Sequence, residues 1–296
     1  MLSLEDEANL GTQRPATLRR PSAVSQILRK ISENMDLDPA GWDVSSEEDR
    51  SQSFRLRIAA DRTLRARAYA LAHRVYHASG LVAGDCPMVV SPYDADPQTF
   101  TILVEDERGE DAATISVVVD SPAGLPADEI YRSELTAARD KGRLMCEVTR
   151  LAIAPEHKHS RLLLVRLFNF VYVYARRIVG ADDFIIEVHP RHAAYYHRLL
   201  KFEPIGPEKP CPRVQNSLSV LLGLKLAESD RHIRLYGNRH SLSAVKKDRS
   251  LYPSFYRWLE EGAVAEFIAR RRRPMSDDDV NFFQLSRRTS STFPSE

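Results

Sequence analysis

The chain has 296 residues with an apolar share of 43% and a charged share of 28%, enough for one large folded body with an ordinary polar surface. Its 42 Lys and Arg stand against 41 Asp and Glu, so a net charge of +1 excludes binding to nucleic acid or membrane through overall charge. Three scattered cysteines, Cys86, Cys146 and Cys211, form neither a disulfide framework nor a CxxC zinc module, and a cytoplasmic location is the expectation.

Residues 1–52 carry acid at Glu5, Asp6 and Glu7 where a signal peptide needs base, and their polar, proline-containing run predicts a mostly disordered leader. From residue 53 the periodicities alternate. Phe54, Leu56 and Ile58 read as a strand. Asp61 caps a helix with Leu64, Ala68, Leu71, Ala72 and Val75 on one face, ending near Gly80. Strands at 99–105 and 112–119 flank Asp106-Glu107-Arg108-Gly109-Glu110, which is hairpin turn chemistry. A helix over 128–141 precedes an extended run over 143–153. The apolar helix over 162–178 is broken by Arg166, Asn169, Arg176 and Arg177, so it falls short of a membrane span. A strand over 184–188 ends before Pro190, a short helix covers 192–200, and strands at 202–205 and 217–226 follow. Strands in hairpins and in helical crossovers imply a mixed, twisted sheet with helices on both faces. The α/β body is expected over 53–226 and a helical extension over 227–273, kinked or split at Gly262. A flexible tail is expected over 274–296.

This order resembles the GNAT acyltransferase fold. Tyr76, Pro92-Tyr93-Asp94, Ala113 to Val117, Gly124 to Asp128, Cys146 to Ile153, and Val188-His189-Pro190 running into Tyr195 to Phe202 sharpen the likeness. Together they resemble the N-acyl amino acid synthases of the FeeM type, related to the acyl-homoserine lactone autoinducer synthases. The resemblance implies transfer of a long-chain acyl group from an acyl carrier protein thioester to the α-amine of an amino acid. It implies no permanently bound cofactor. The donor is acyl-phosphopantetheine, or acyl-CoA in the rival reading of a CoA-dependent N-acetyltransferase. A third reading is a non-catalytic GNAT-like module that binds an acyl ligand or a partner. Where autoinducer synthases carry an arginine, the stretch Thr114 to Asp120 has none, which counts against a homoserine lactone product.

An attacking amine must lose a proton, so a base is needed. Glu147 lies mid-strand among apolar residues, where burial raises a carboxyl pKa, and the resemblance places an active-site glutamate there. The alternative is a structural carboxylate paired with an arginine. Arg150, three residues on, shares a face with Glu147 only if a bulge intervenes, as GNAT folds have here to open a slot between two parallel strands. Without one, it pairs structurally with a group such as Asp94. At the next strand-to-helix junction the glycines of a CoA pyrophosphate loop are missing. Lys158, His159, Ser160 and Arg161 stand there instead, which suits the single phosphodiester of a carrier-protein pantetheine; the alternative is a solvated turn with Ser160 as cap. The resemblance makes Tyr196 the proton donor to the leaving thiolate, with Tyr195 as competitor. It also makes Asp94, Thr149 and His189 substrate-binding. Histidines at 157, 159, 189 and 192 lack a fourth ligand at usual spacing, so no metal is expected. An apolar tunnel for the acyl chain is expected between the sheet and the 162–178 helix. The run Arg270 to Arg273 reads as a solvated helix end or a carrier-docking patch, without the aromatics of a nucleic-acid module.

Overall fold

The computed structural model describes residues 54–82, 86–237, 250–255 and 258–285; the expected leader, residues 1–52, lies outside them. In chain order the elements are β1 (Arg55–Ile58), α1 (Arg62–Ala78), β2 (Phe100–Glu105), β3 (Asp111–Val119), α2 (Asp128–Arg139), β4 (Met145–Ile153) and α3 (Arg161–Val173). There follow β5 (Asp183–Val188), α4 (Ala193–Leu200), β6 (Glu203–Pro204), β7 (Lys209–Cys211), β8 (Ser217–Lys225), α5 (Leu226–Tyr236), α6 (Trp258–Arg271) and α7 (Asp277–Phe282). The sheet runs β1-β2-β3-β4-β5-β8-β6, with β7 paired to β8. Among the described residues only β4 and β5 pair in parallel; the other pairings are antiparallel. This is the mixed α/β fold of the GNAT type, with helices on both faces and further helices at the C-terminal end.

Local chemistry accounts for the elements. Asp61 accepts from the Leu64 amide 2.9 Å away and so caps α1. The β2–β3 turn closes on Asp106, whose Oδ1 accepts from the Arg108 and Glu110 amides at 2.9 Å each, with Gly109 at φ +79°. On β3, Ala113, Ile115, Val117 and Val119 face one side and Val118 the other, as a period of two requires. That first side packs on α3, which continues as a π-helical turn (Tyr174–Val179) stopped by Gly180 at φ +79°. The opposite side meets α1 and α2.

Four expectations change. Helix α6 runs unbroken through Gly262. The short strand β7, with Pro210 at its centre, was not anticipated. The expected tail contains α7, whose Val280, with Met275 and Phe283 beside it, is buried against Tyr69 and Leu71 of α1; Asp279 pairs with Arg62 at 2.8 Å and Arg65 at 3.1 Å. The folded body therefore reaches residue 285. Among the described residues the space between the sheet and α3 is filled and forms no tunnel: Leu163, Leu167 and Val171 are fully buried, and a void lined by Phe168, Tyr172 and Phe184 is about 10 Å³. Helix α3 is buried all round beyond its first residue, Arg166 and Asn169 included, because it lies between the sheet and the C-terminal helices.

Candidate active site

The site is built on β4. Its register on β3 runs Glu147 to Val118, Val148 to Val117 and Thr149 to Ser116, then Ala152 to Thr114. Thr149 to Ala152 spans three steps where Ser116 to Thr114 spans two, so β4 carries one extra residue. Arg150 supplies it, at φ +51°. The bulge swings Arg150 to the face that Glu147 occupies, and both line the same cavity. The sequence alternatives for Arg150 thus meet: the bulge is present, and Arg150 also pairs with Asp94.

A second irregularity opens the strand's other edge. The parallel pairing of β4 and β5 stops after Met145–Asp183, Cys146–Phe184 and Glu147–Ile185. Strand β5 meanwhile stays on β8 as far as Val188. The two strands part at Glu147, and a wedge opens beside it. Val148, Thr149 and Arg150 from one strand and Glu187 from the other line a cavity of about 980 Å³, together with Tyr76, Val82, Val89, Val90, Tyr93 and Pro126. That volume is of the size that holds small-molecule substrates.

Glu147 is 2% exposed. Its Oε2 accepts from the Ala127 amide at 2.8 Å, at the start of α2. Burial dominates and raises its pKa to about 8, against the lowering effects of that amide and of the Arg213 charge; Glu187 and Asp128 add to the rise. A carboxyl with that value changes charge in the range where a general base works. Arg150 is different in kind. Its Nη1 donates to Asp94 Oδ2 at 2.6 Å, its Nη2 to Asp94 Oδ1, its Nε to Ser116 Oγ at 3.2 Å, and its face lies 4.7 Å from the Tyr69 ring centre. Asp94 also receives the Ser91 amide at 2.8 Å in a capping box. Arg150 is a fixed positive charge with three of its five N–H groups engaged, two of them on Asp94.

The other expected residues divide. Thr149 lines the cavity. Asp94, expected to bind substrate, stands behind the wall and holds Arg150, because both its oxygens are engaged there. His189 accepts from the Arg191 amide at 3.2 Å and caps the turn after β5, away from the lining. Tyr196 also lies outside the lining: its ring packs against Phe168 at 6.3 Å and Phe202 at 6.2 Å, and burial raises its pKa. Tyr76 does line the cavity and interacts electrostatically with both Arg150 and Tyr196; burial pushes its phenol up to about 12. Ser160 Oγ caps α3 through the Leu163 amide at 3.4 Å. Arg161 donates to the Ser250 carbonyl at 2.5 Å, while Lys158 and His159 are exposed at the helix start.

Sequence reasoning passed over one group. Arg213, on the turn after β7, has its Nε 2.9 Å from a Glu129 carboxylate oxygen as an ion pair and donates through Nη2 to Glu187. All three line the cavity. Cys211, beside Glu187, is held protonated with its pKa raised to about 11 by burial. These residues come from α2, β5 and the β7 turn, and no local spacing links them.

A bulged strand that parts from its parallel neighbour at a buried glutamate, within a mixed sheet, defines a GNAT-like acyltransferase. The family model described as "N-acyl amino acid synthase FeeM" matches residues 67–225, and the chain belongs to that family. Among solved structures, it is similar to FeeM, an N-acyl amino acid synthase from uncultured soil microbes, at 26% identity and a TM-score of 0.54, covering 61% of this chain and 94% of that one. The AHL synthase LasI is similar at 15% identity and a TM-score of 0.45, covering 59% and 90% of the two chains. A spermidine N-acetyltransferase, SpeG from Vibrio cholerae, follows at 14% identity and a TM-score of 0.40, covering 59% and 95%. No curated protein matches the chain. Among the described residues, no helix is long and apolar enough to cross a membrane.

Proposed function

We propose that the protein moves a long-chain acyl group from the phosphopantetheine thioester of an acyl carrier protein to the α-amine of an amino acid, by direct attack. Glu147 carries this reading: a buried carboxyl with a pKa of about 8 lies where two strands part beside a large cavity. The thioester arm enters the wedge, and the acyl carbonyl comes to rest near Glu147. The amine nitrogen attacks that carbon, and its surplus proton passes to Glu147, directly or through one water. The tetrahedral intermediate collapses, the C–S bond breaks and the thiolate leaves with the electron pair. Tyr76, on the cavity wall, donates a hydrogen bond to the departing sulfur. Arg150 supplies a fixed positive charge nearby, and the apolar wall at Val82, Val89 and Val90 receives the first part of the acyl chain. The carrier's phosphodiester meets the start of α3, where Lys158 and His159 are exposed, and the absence of a glycine loop favours the carrier over coenzyme A.

Purified protein given the same acyl chain on carrier protein and on coenzyme A, with a mixture of amino acids, tests the proposal. The expected result is N-acyl amino acid from the carrier thioester at a kcat/KM well above that from the CoA thioester. Equal use of both donors would return the donor assignment to coenzyme A. Failure to acylate any amino acid from either donor would sink the reading.

A further inference from the structure

An α-amino acid carries its amine and carboxylate on one carbon, so the group that meets the carboxylate must face the same small volume as the base. Three cationic side chains line the cavity: Arg132, Arg150 and Arg213. Arg150 has both its Nη groups on Asp94, its Nε on Ser116 and one face on Tyr69. Arg132 is exposed on α2. Arg213 has its Nε 2.9 Å from Glu129 as an ion pair and donates through Nη2 to Glu187. Those contacts leave out Nη1, so the end of the guanidinium, Nη1 with the remaining Nη2 hydrogen, can meet a carboxylate in bidentate fashion. Its charge is close enough to Glu147 for each to shift the other's ionisation.

We propose that Arg213 binds the free α-carboxylate of the acceptor and so selects amino acids over amines that carry the same side chain. This rests on the reading of the cavity as the acceptor site beside Glu147. The acceptor arrives as a zwitterion: its carboxylate meets the end of Arg213, and its ammonium is drawn to the Glu187 carboxylate, which lines the same cavity as Glu147. Glu129 and Glu187 hold the guanidinium in place, so little side-chain freedom is lost when the acceptor binds.

The test compares wild type, Arg213→Gln and Arg213→Lys with a lauroyl carrier thioester and two acceptor pairs, leucine with 3-methylbutylamine and phenylalanine with phenethylamine. For Arg213→Gln, kcat/KM with the amino acids is expected to fall roughly 100-fold, mainly through KM, so that the preference over the matching amine collapses by a similar factor. Arg213→Lys, which keeps the charge and loses the fork, should fall in between. Calorimetric titration of phenylalanine into wild type and Arg213→Gln reads the same contact without any transfer, and binding should weaken in the variant alone. An equal loss for amino acid and amine would overturn the proposal in favour of a structural role, as would unweakened phenylalanine binding. So would a collapse of the preference in Arg132→Gln with Arg213→Gln unaffected. Wild type that binds phenylalanine and acylates nothing would overturn the transferase reading while leaving the binding result to judge Arg213.

Discussion

The two faces of the sheet do opposite work. Against α3 it is dry and filled: Leu163, Leu167 and Val171 are fully buried and the void there is about 10 Å³. Against α1 and α2 it holds a cavity of about 980 Å³ and most of the site's charged groups. Strand β4 serves both, with Cys146 in the dry core and Glu147 on the cavity side. The lesson is that alternation along one strand can place a cohesive core and a strained polar site within about 7 Å of each other along the chain. The polar side tolerates this in two ways. Asp94 and Arg150, 3% and 7% exposed, neutralise one another, whereas Glu147 has no such partner and shifts its ionisation instead.

Glu147→Gln tests that division most severely. As the base, Glu147 is expected to contribute about 10²–10⁴-fold to kcat, and wild-type kcat should rise with pH through about 8 before levelling, a limb the variant lacks. Stability should move the other way. The folded-state pKa of about 8 lies above the ordinary 4.5, so between these values the folded protein keeps a proton that the unfolded chain has released. Wild-type stability therefore falls as pH rises through that window, and glutamine escapes the loss. Melting curves should show the variant's Tm above wild type at about pH 9 and near it at about pH 4. A variant that is less stable at the higher pH would mean that the ionised carboxylate is welcome in its site.

Asp94→Ala asks whether the compensated pair is as structural as its geometry implies. It leaves Arg150 buried without its partner, and a loss of about 3–5 kcal/mol is expected in urea unfolding, together with lower activity in the folded fraction. An unchanged midpoint would show that Arg150 finds water or another acceptor. On the dry face, Leu167→Ala should cost about 2–5 kcal/mol by the same measurement while kcat/KM of the folded enzyme changes little. A large kinetic effect there would break the separation of the faces.

What could be read from sequence follows the same line. Alternation and caps are local, so Asp61, the Asp106 turn and most strands were legible. The bulge could be expected only through the family likeness, since nothing in Cys146 to Ile153 announces a residue at positive φ. The apolar run of α3 was legible as buried, but periodicity does not say how tightly a helix packs; side chains such as Phe168, Tyr172 and Phe184 fill the place where a tunnel was expected. Arg213 escaped because Glu129 and Glu187 reach it from distant segments. The ordered helix α7 was hidden by its polar start, Asp277-Asp278-Asp279, which is good first-turn chemistry after the Ser276 cap.

The finest test of the two faces lies at the tyrosines. Tyr196 packs with the core that contains Phe168 and Phe202, while Tyr76 opens onto the cavity. A thiolate is a weak base with a conjugate pKa near 8.5, and a phenol pushed up to about 12 gives up its proton reluctantly, so the phenol's part is a hydrogen bond rather than full transfer. One such bond is worth about 0.5–1.5 kcal/mol, so Tyr76→Phe should lower kcat by about 2–12-fold with little change in KM. Tyr196→Phe keeps the ring packing and should fall short of that. If Tyr196→Phe were the more damaging in single-turnover measurements with the carrier thioester, the sulfur would leave on the α4 side of the wedge. The departing thiol would then cross the sheet at the split beyond Glu147, and the wedge would join the two faces rather than serve the cavity alone.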